Sequence, residues 1–258
     1  MDTQVQYDKI VRWWKTGEYR TEADLVEKLY NFRILFAYNS NKIENSTVTY
    51  HDTREIFENG KVINYTGDLR TLFEIQNQKN AFEFLLQPIL KKEPLSIEFI
   101  QNLHKELLEG CYDERRYSKG ERPGTFKIGD YSVGDNVGSF PEEVESDLKE
   151  LLREVNEVNQ NEPEQLLKAA AYLHLNFESI HPFADGNGRV GRALMNYFLM
   201  THQMPPTIFY EEDKKTYYMG LTVFDKTAEL DGFVQFIKEE TIKTWGDRVL
   251  KRLKRHTR

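Results

Sequence analysis

The chain has 258 residues, a length that one large domain can accommodate. Its contents of 39% hydrophobic and 13% aromatic residues exclude a mostly disordered chain, and its formal net charge of −7 excludes a general attraction to nucleic acids or anionic membranes. No stretch approaches the ~18 consecutive apolar residues of a membrane span, and the N-terminal sequence lacks the apolar centre of a secretory signal, so we expect a cytoplasmic protein without a membrane partner.

The spacing of apolar residues predicts a mainly α-helical fold. Apolar side chains recur every three or four residues along most of the chain, which is the period of helices with one buried face. Start signals agree: Thr21 is followed three residues later by Asp24, Ser96 precedes a periodic run, and Pro163 fits the first position of a helix. We expect a helical region over 1–90, a core over 91–245 and a basic terminal helix over 246–258, all in one compact unit.

The segment 122–140 departs from the helical pattern. Glycine and aspartate residues separate short β-prone pieces around Phe126, Ile128, Tyr131 and Val133. The sequence therefore predicts a short β-hairpin here, beside an otherwise helical bundle.

The segment HPFADGNGRVGR lies between two predicted helices and has the composition of an anion-binding loop. Gly186 and Gly188 flank Asn187 and allow close backbone approach, while the first N–H groups of the next helix point out of it. Together they form a cradle suited to phosphate. Arg189 and Arg192 lie on the first turn of that helix, where two cations at the positive end of the dipole require a nearby anion or carboxylate.

Two further residues of this segment can carry chemistry. Asp185 supplies a hard oxygen ligand suited to Mg²⁺ that is also bound by substrate phosphates. His181 has an unperturbed pKa near ~6.5 and can accept a proton from an attacking hydroxyl at neutral pH. A lone histidine between helices is more often structural, and paired arginines are usually surface charges, but all these features within twelve residues favour an anion-handling site.

The same segment matches the signature H-x-F-x-(D/E)-G-N-G-R-x-x-R at every defined position and so resembles the Fic family. Members are mostly helical and, with this form of the motif, typically transfer AMP from ATP to a hydroxyl of a protein. A branch that phosphorylates its targets carries Lys at the position of Gly188, which disfavours kinase activity. The resemblance implies ATP as substrate, Mg²⁺, and these roles: His181 as general base, Asp185 as metal ligand, Gly186, Asn187 and Gly188 as phosphate anion hole, and Arg189 and Arg192 as phosphate clamps.

The resemblance extends outside the motif to the hairpin and to a later helix. The predicted hairpin is similar to the family's flap, which holds a segment of the target protein in extended form by main-chain pairing. The flap and the adenine pocket of the family imply nucleotide contacts at Tyr131, Ser132, Val133, Gly134, Tyr217, Tyr218 and Asp225. Core packing is the alternative for the two tyrosines, and relatives often carry Asn at the position of Asp225.

An upstream segment resembles the family's inhibitory pattern (S/T)-x-x-x-E-(G/N), with Ser40, Glu44 and Asn45 at the defined positions of a helix expected over about 34–46. If Glu44 reaches Arg192, a carboxylate takes the place of the γ-phosphate, and ATP binds with its α-phosphate misaligned for attack. The enzyme is then self-inhibited, and movement of this helix releases it.

Several functions remain open at this point. The first is a Mg²⁺-dependent protein adenylyltransferase that also modifies itself, and the second is an enzyme that removes AMP, with Glu44 orienting a water. The third is a regulatory module that only binds nucleotide, although such a module has no use for His181. Nucleic-acid binding by the basic run from Arg248 to Arg258 is the weakest alternative, because such a run is usually the solvated face of a helix. Family members often self-associate, which leaves a homo-oligomer open.

Overall fold

The computed structural model describes residues 2–17, 19–131, 138–158 and 162–256, with side chains as far as residue 249. Within these ranges the chain forms twelve α-helices and no strand. The helices are α1 (Thr3–Thr16), α2 (Glu22–Lys28), α3 (Tyr30–Glu44), α4 (Tyr50–Asn59), α5 (Leu69–Lys91), α6 (Ile97–Leu108), α7 (Glu114–Ser118), α8 (Val144–Asn156), α9 (Pro163–Ile180), α10 (Asn187–Thr201), α11 (Lys214–Thr227) and α12 (Asp231–His256). The mainly α class is confirmed. The hairpin stays a prediction, since residues 132–137 lie outside the described ranges.

The helix-start signals in the sequence are confirmed at three helices, at two of them by a capping hydrogen bond. The Thr21 hydroxyl accepts from the N–H of Asp24 at 3.2 Å, and the Asp24 carboxylate accepts from the N–H of Thr21 at 3.0 Å, which closes a capping box on α2. The Ser96 hydroxyl accepts from the N–H of Phe99 at 3.1 Å and caps α6. Pro163 is the first residue of α9, where its missing N–H leaves no helical bond unmade.

Helix α10 is the central helix of the fold. All but one of its 15 residues are buried, and it packs against α9, α6, α5 and α3. The arginines of the motif lie on its first two turns and are therefore carried into the interior, with Arg189 3% and Arg192 1% exposed. Buried guanidinium groups require carboxylate or phosphate partners, so the neighbouring helices must supply them or a ligand must.

The first and last helices close the bundle through aromatic contacts. Trp14 of α1 and Trp245 of α12 have ring centroids 5.3 Å apart, and Phe32 of α3 stacks on Trp245 at 5.6 Å. One continuous hydrophobic core includes residues from α1 to α12. The boundaries expected at residues 90 and 245 both fall inside helices, α5 and α12, and the three-part division stays a prediction. In the described ranges, no helix has the length and apolar character required to cross a bilayer.

Candidate active site

A tight loop joins α9 to α10 and carries the first half of the motif. His181 ends α9 in the left-handed conformation, with φ of 52°, and its N–H donates to the Phe177 carbonyl at 3.0 Å. Gly186 precedes α10 with φ of 84°, and a Cβ at this position would lie 2.4 Å from Cδ2 of Leu108. Position 186 therefore requires glycine on two grounds, conformation and space.

The Asn187 side chain closes this loop onto itself. Its Oδ1 accepts from the N–H of Phe183 at 2.9 Å, and its Nδ2 donates to the Phe183 carbonyl at 2.8 Å. The Phe183 ring is fully buried and stacks on His104, with centroids 3.7 Å apart. The first hydrogen bond within the helix runs from the N–H of Val190 to the Gly186 carbonyl at 3.1 Å. The N–H groups of the three preceding residues, 187–189, therefore have no acceptor within the helix. The backbone of α10, rather than the Asn187 amide, presents donors to an anion.

His181 is neutral at physiological pH. Burial lowers its pKa to about 4, and the Lys127 ammonium acts in the same direction, while Asp185 and Glu44 act in the opposite one. A neutral imidazole can accept a proton. The residue therefore has the protonation state that a general base needs.

Arg192 is surrounded by groups from α3. Its Nε donates to the Ser40 hydroxyl at 3.1 Å, and its Nη2 donates to the Ser40 carbonyl and to Oε1 of Glu44, both at 2.8 Å. The Tyr217 hydroxyl lies 3.5 Å from Nη1. The structure thus brings Ser40 and Glu44 onto the second arginine of the motif, and the Glu44 carboxylate supplies the negative charge that this arginine needs.

Arg189, the first arginine, belongs to a second ionic cluster. Its Nη2 lies 3.3 Å from Oδ1 of Asp185, and its Nη1 lies 3.4 Å from Oε1 of Glu74. Arg70 bridges the same two carboxylates, with Nε 3.1 Å from Oε1 of Glu74 and Nη2 2.9 Å from Oδ2 of Asp185. Asn45, directly after α3, donates from Nδ2 to Oε2 of Glu74 at 2.8 Å. The end of α3 is therefore connected to both arginines of the motif.

Asp185 fits the role of a metal ligand that works together with phosphate. Burial alone would raise its pKa, but the guanidinium groups of Arg189, Arg116 and Arg70 hold that pKa below its usual range, so the carboxylate is ionised. The described part of the chain holds no group of three or more His, Cys, Asp or Glu residues that could bind a metal ion without further ligands. A Mg²⁺ ion would thus need phosphate oxygens and waters beside Asp185, which is its common mode of binding.

The segments on both sides of the undescribed part of the predicted flap are attached to the motif loop and to the end of α9. The N–H of Lys127 donates to the Pro182 carbonyl at 2.9 Å, and the N–H of Ser139 donates to the Ile180 carbonyl at 3.0 Å. Oε1 of the buried Glu121 accepts from the N–H of Ile128 at 3.1 Å and from the Tyr131 hydroxyl at 2.8 Å. The candidate nucleotide contacts Ser132, Val133 and Gly134 lie outside the described residues.

The residues suggested for the adenine pocket lie on α11 and have different surroundings. Tyr217 is buried, and its hydroxyl is 3.0 Å from Nε2 of His174 and 3.5 Å from Arg192. Tyr218 is 43% exposed, and Asp225 accepts a hydrogen bond from the Ser179 hydroxyl at 2.7 Å. Tyr217 packs in the core and supports Arg192, whereas Tyr218 and Asp225 are open to the solvent.

Four residues that build the site were not found from the sequence: Arg70, Glu74, His104 and Arg116. Each lies more than 60 residues before its partner in the motif, so no local pattern connects them. The spacing of Arg70 and Glu74 by four on one helix is a weak signal of an ion pair. His104 was detectable only as a histidine on the apolar face of α6.

Solved structures with this all-helical fold contain Fic domains. The chain superposes on a Fic-domain-containing signaling protein from Bacteroides thetaiotaomicron with a TM-score of 0.76 and 25% identity, over 93% of this chain and 92% of that one. It superposes on Fic-1 from Caenorhabditis elegans with a TM-score of 0.77 over 98% of this chain and 73% of that one, at 23% identity, which is a likeness of fold. The fold is therefore Fic-like.

Sequence comparison gives the same assignment. Residues 94–199 match the Fic/DOC family. The chain is 30% identical over 209 residues to the protein adenylyltransferase fic-1 of Caenorhabditis elegans, and 31% identical over 215 residues to the protein adenylyltransferase Fic of Drosophila willistoni. These alignments cover 80% of this chain but 39% and 40% of the relatives, so the chain spans about two fifths of their length.

Proposed function

We propose that this chain is a Mg²⁺-dependent protein adenylyltransferase that transfers AMP from ATP to a Ser, Thr or Tyr hydroxyl of a target protein. The observation that carries the proposal is the conjunction, in one loop and the helix after it, of a neutral His181, an ionised Asp185 and the N–H groups at the start of α10, which no side chain caps. The distant relationship to protein adenylyltransferases of animals supports the same reaction.

Each residue has a defined task in this reaction. The hydroxyl oxygen of the target attacks the α-phosphorus of ATP while the bond to the β-phosphate oxygen breaks, so that pyrophosphate leaves. His181 takes the hydroxyl proton as the attack proceeds. The N–H groups at the start of α10 and the Arg189 guanidinium stabilise the phosphate charge, and Arg192 is the clamp for the γ-phosphate. Mg²⁺ bound by Asp185 would supply further charge neutralisation at the phosphates.

We further propose that Glu44 inhibits the enzyme. Its carboxylate is 2.8 Å from Nη2 of Arg192, a guanidinium that ATP would need for its γ-phosphate. A Cβ on Gly188 would lie 2.4 Å from Oε1 of Glu44, so this carboxylate also borders the backbone cradle. Inhibition then acts by misorientation of ATP, and it ends when α3 moves. The target segment would dock on the predicted flap, whose described flanking residues Lys127 and Ser139 donate to the Pro182 and Ile180 carbonyls beside His181.

The position of Glu44 beside the cradle also supports the reverse reaction as a second candidate. A carboxylate at this place can orient a water toward the phosphorus of a modified target and accept its proton. The enzyme would then remove AMP from modified targets. This candidate requires that Glu44→Gly lose the AMP-removing activity. A purely nucleotide-binding module has no comparable support, because it leaves the neutral His181 without a task.

One experiment separates these candidates. The Glu44→Gly variant and the wild type are incubated with Mg²⁺ and each labelled nucleotide, and the products are identified by intact mass. We expect adenylyl addition to the chain or to a target protein, at a higher rate in Glu44→Gly. Glu44→Gly/His181→Ala should bind ATP without transfer, and Glu58→Gly, on the exposed side of α4, should behave as wild type. Phosphate addition, or transfer that survives His181→Ala, would contradict the proposal.

A further inference from the structure

Three arginines from three different helices converge on the carboxylate of Asp185. Arg189 of α10 lies 3.3 Å from Oδ1, and on Oδ2 lie Arg70 of α5 at 2.9 Å and Arg116 of α7 at 3.5 Å. Both carboxylate oxygens are thus engaged by guanidinium groups. The motif accounts for Arg189 alone, and the other two arginines come from helices far from it in sequence.

This arrangement opposes the binding of a free divalent cation. A metal ion at Asp185 would sit within a few ångströms of three positive charges, and partial burial strengthens each repulsion relative to bulk water. It would also displace hydrogen bonds that already satisfy the carboxylate. In the absence of other ligands, Asp185 is therefore a poor metal site.

The three arginines differ in how freely they can leave Asp185. Arg189 is 3% exposed on the buried helix α10, which fixes it in place. Arg70 and Arg116 also pair with Glu74 and Asp113, but through Nε and Nη1. The side chains of Arg70 and Arg116 are 37% and 27% exposed and reach Asp185 through their Nη2 atoms. Long, partly exposed side chains can redirect one terminal nitrogen to a new partner, and guanidinium binds phosphate in the same paired geometry as carboxylate.

We infer that Arg70 and Arg116 occupy the Asp185 carboxylate until a nucleotide arrives, then turn to its phosphate oxygens and so admit the divalent cation. This inference rests on the proposed function in one respect, namely that the ligand of the site is a nucleotide. Metal binding therefore depends on prior nucleotide binding, and the two arginines are positioning residues that act on both. Their removal must therefore have opposite effects on two measurements, which general damage to the fold would not produce.

The first measurement uses Mn²⁺ alone, without nucleotide, and follows the loss of its free electron paramagnetic resonance signal. We expect Arg70→Gln/Arg116→Gln to bind Mn²⁺ about tenfold or more tightly than the wild type, because two repelling charges are gone. The gain should disappear when Asp185→Asn is added. Arg54→Gln/Arg115→Gln removes the same charge from exposed positions of α4 and α7 and should bind Mn²⁺ as the wild type does.

The second measurement uses ADP in the presence of EDTA, followed by calorimetry. Here Arg70→Gln/Arg116→Gln should bind at least about tenfold more weakly than the wild type and the charge-matched control, because two phosphate donors are lost. Equal Mn²⁺ affinity of wild type and double variant, or unchanged ADP affinity, would overturn the inference.

Thermal melting of each variant checks the fold, and the single variants Arg70→Gln and Arg116→Gln carry the same two expectations if the double variant unfolds. Neither measurement depends on catalysis. Should the wild type and Glu44→Gly fail to transfer AMP while the two affinities shift as expected, the proposed function is wrong and the arginine exchange stands. If AMP transfer is observed but the Mn²⁺ and ADP affinities do not shift, the proposed function stands and the arginine exchange is wrong.

Discussion

Arg192 donates from Nη2 to Oε1 of Glu44 at 2.8 Å, across a separation of 148 residues. The guanidinium is 1% exposed, whereas the Glu44 side chain is 36% exposed. Burial opposes the charge on Arg192, but Glu44, Tyr217 and Glu178 hold its pKa above the usual range. A permanently charged interior arginine is thus neutralised by a carboxylate at the surface, which any partner that moves α3 can reach.

Ser40 provides a graded test of this contact. Its hydroxyl accepts from Nε of Arg192 at 3.1 Å, whereas its carbonyl, which also accepts from Arg192, is independent of the side chain. Ser40→Ala therefore removes one hydrogen bond to a charged group, worth about 1.5–3 kcal/mol, and leaves Glu44 in place. We expect initial rates of AMP incorporation in the order wild type, Ser40→Ala, Glu44→Gly. Ser46→Ala, at an exposed position, is the matched control and should incorporate AMP at the wild-type rate. A wild-type rate in Ser40→Ala as well would show that the Ser40 hydroxyl has no part in inhibition.

His104 connects the motif loop to the segment that leads into the predicted flap. Its Nδ1 accepts from the N–H of Gly124 at 2.7 Å, so the proton is on Nε2, which points at the Asp185 carbonyl 3.0 Å away. Burial lowers its pKa to about 3 and keeps it neutral. We expect His104→Ala to lower the free energy of unfolding by about 3–5 kcal/mol, as for other large buried rings.

His104→Phe separates the two contributions. The ring stacking on Phe183 is retained, but the part-buried Gly124 N–H and Asp185 carbonyl lose their partner, at about 1 kcal/mol each, the lower end of the cost of an unsatisfied group. Urea unfolding should therefore rank His104→Phe between the wild type and His104→Ala, while both variants lose AMP transfer because Asp185 is displaced. His202→Phe, at the far end of α10, should retain transfer. A fully active His104→Phe would show that the two hydrogen bonds do not position the loop.

The sequence predicted those parts of the site that are contiguous along the chain. The motif, the helix ends at Thr21, Ser96 and Pro163, and the mainly α class all follow from local patterns, because capping and periodicity act within a few residues. Glu74 and Arg116 could not be found in this way. Their roles arise when α5 and α7 pack beside α10, and no short-range rule encodes that packing.

The protonation state of His181 predicts the pH dependence of transfer. A histidine with an ordinary pKa near ~6.5 would lose about fourfold of its neutral form between about pH 8 and pH 6. Because burial lowers the pKa of His181 to about 4, the neutral base is nearly fully populated over this range. We expect kcat/KM of Glu44→Gly to vary less than about twofold between these values. An inflection near pH 6.5 would assign an ordinary pKa to the base and contradict the buried setting of His181.

Glu178 predicts how stability depends on pH. It is 8% exposed, and burial raises its pKa from 4.5 to about 8, with Glu44 and Asp225 adding to the rise and Arg192 opposing it. Between these two values the unfolded chain has released the proton and the folded chain retains it, so the unfolded state binds fewer protons. Stability from this group is therefore fully present below pH 4.5 and is lost as pH rises toward 8, by about 1.4 kcal/mol per pH unit.

The test compares free energies of unfolding in urea between about pH 6.5 and pH 7.5 for the wild type and each variant, so that the contribution of unfolded-chain histidines, whose pKa is near ~6.5, is common to all of them. Glu240 contributes a slope of the same sign, because burial raises its pKa to about 8 as well. Glu178→Gln should thus reduce the slope of the unfolding free energy against pH by about 1.4 kcal/mol per pH unit and leave the slope due to Glu240. Glu145→Gln, an exposed glutamate of α8, should keep the wild-type slope. An unchanged slope in Glu178→Gln would mean that this carboxyl is ionised in the folded protein, facing Arg192 as a second competitor to Glu44.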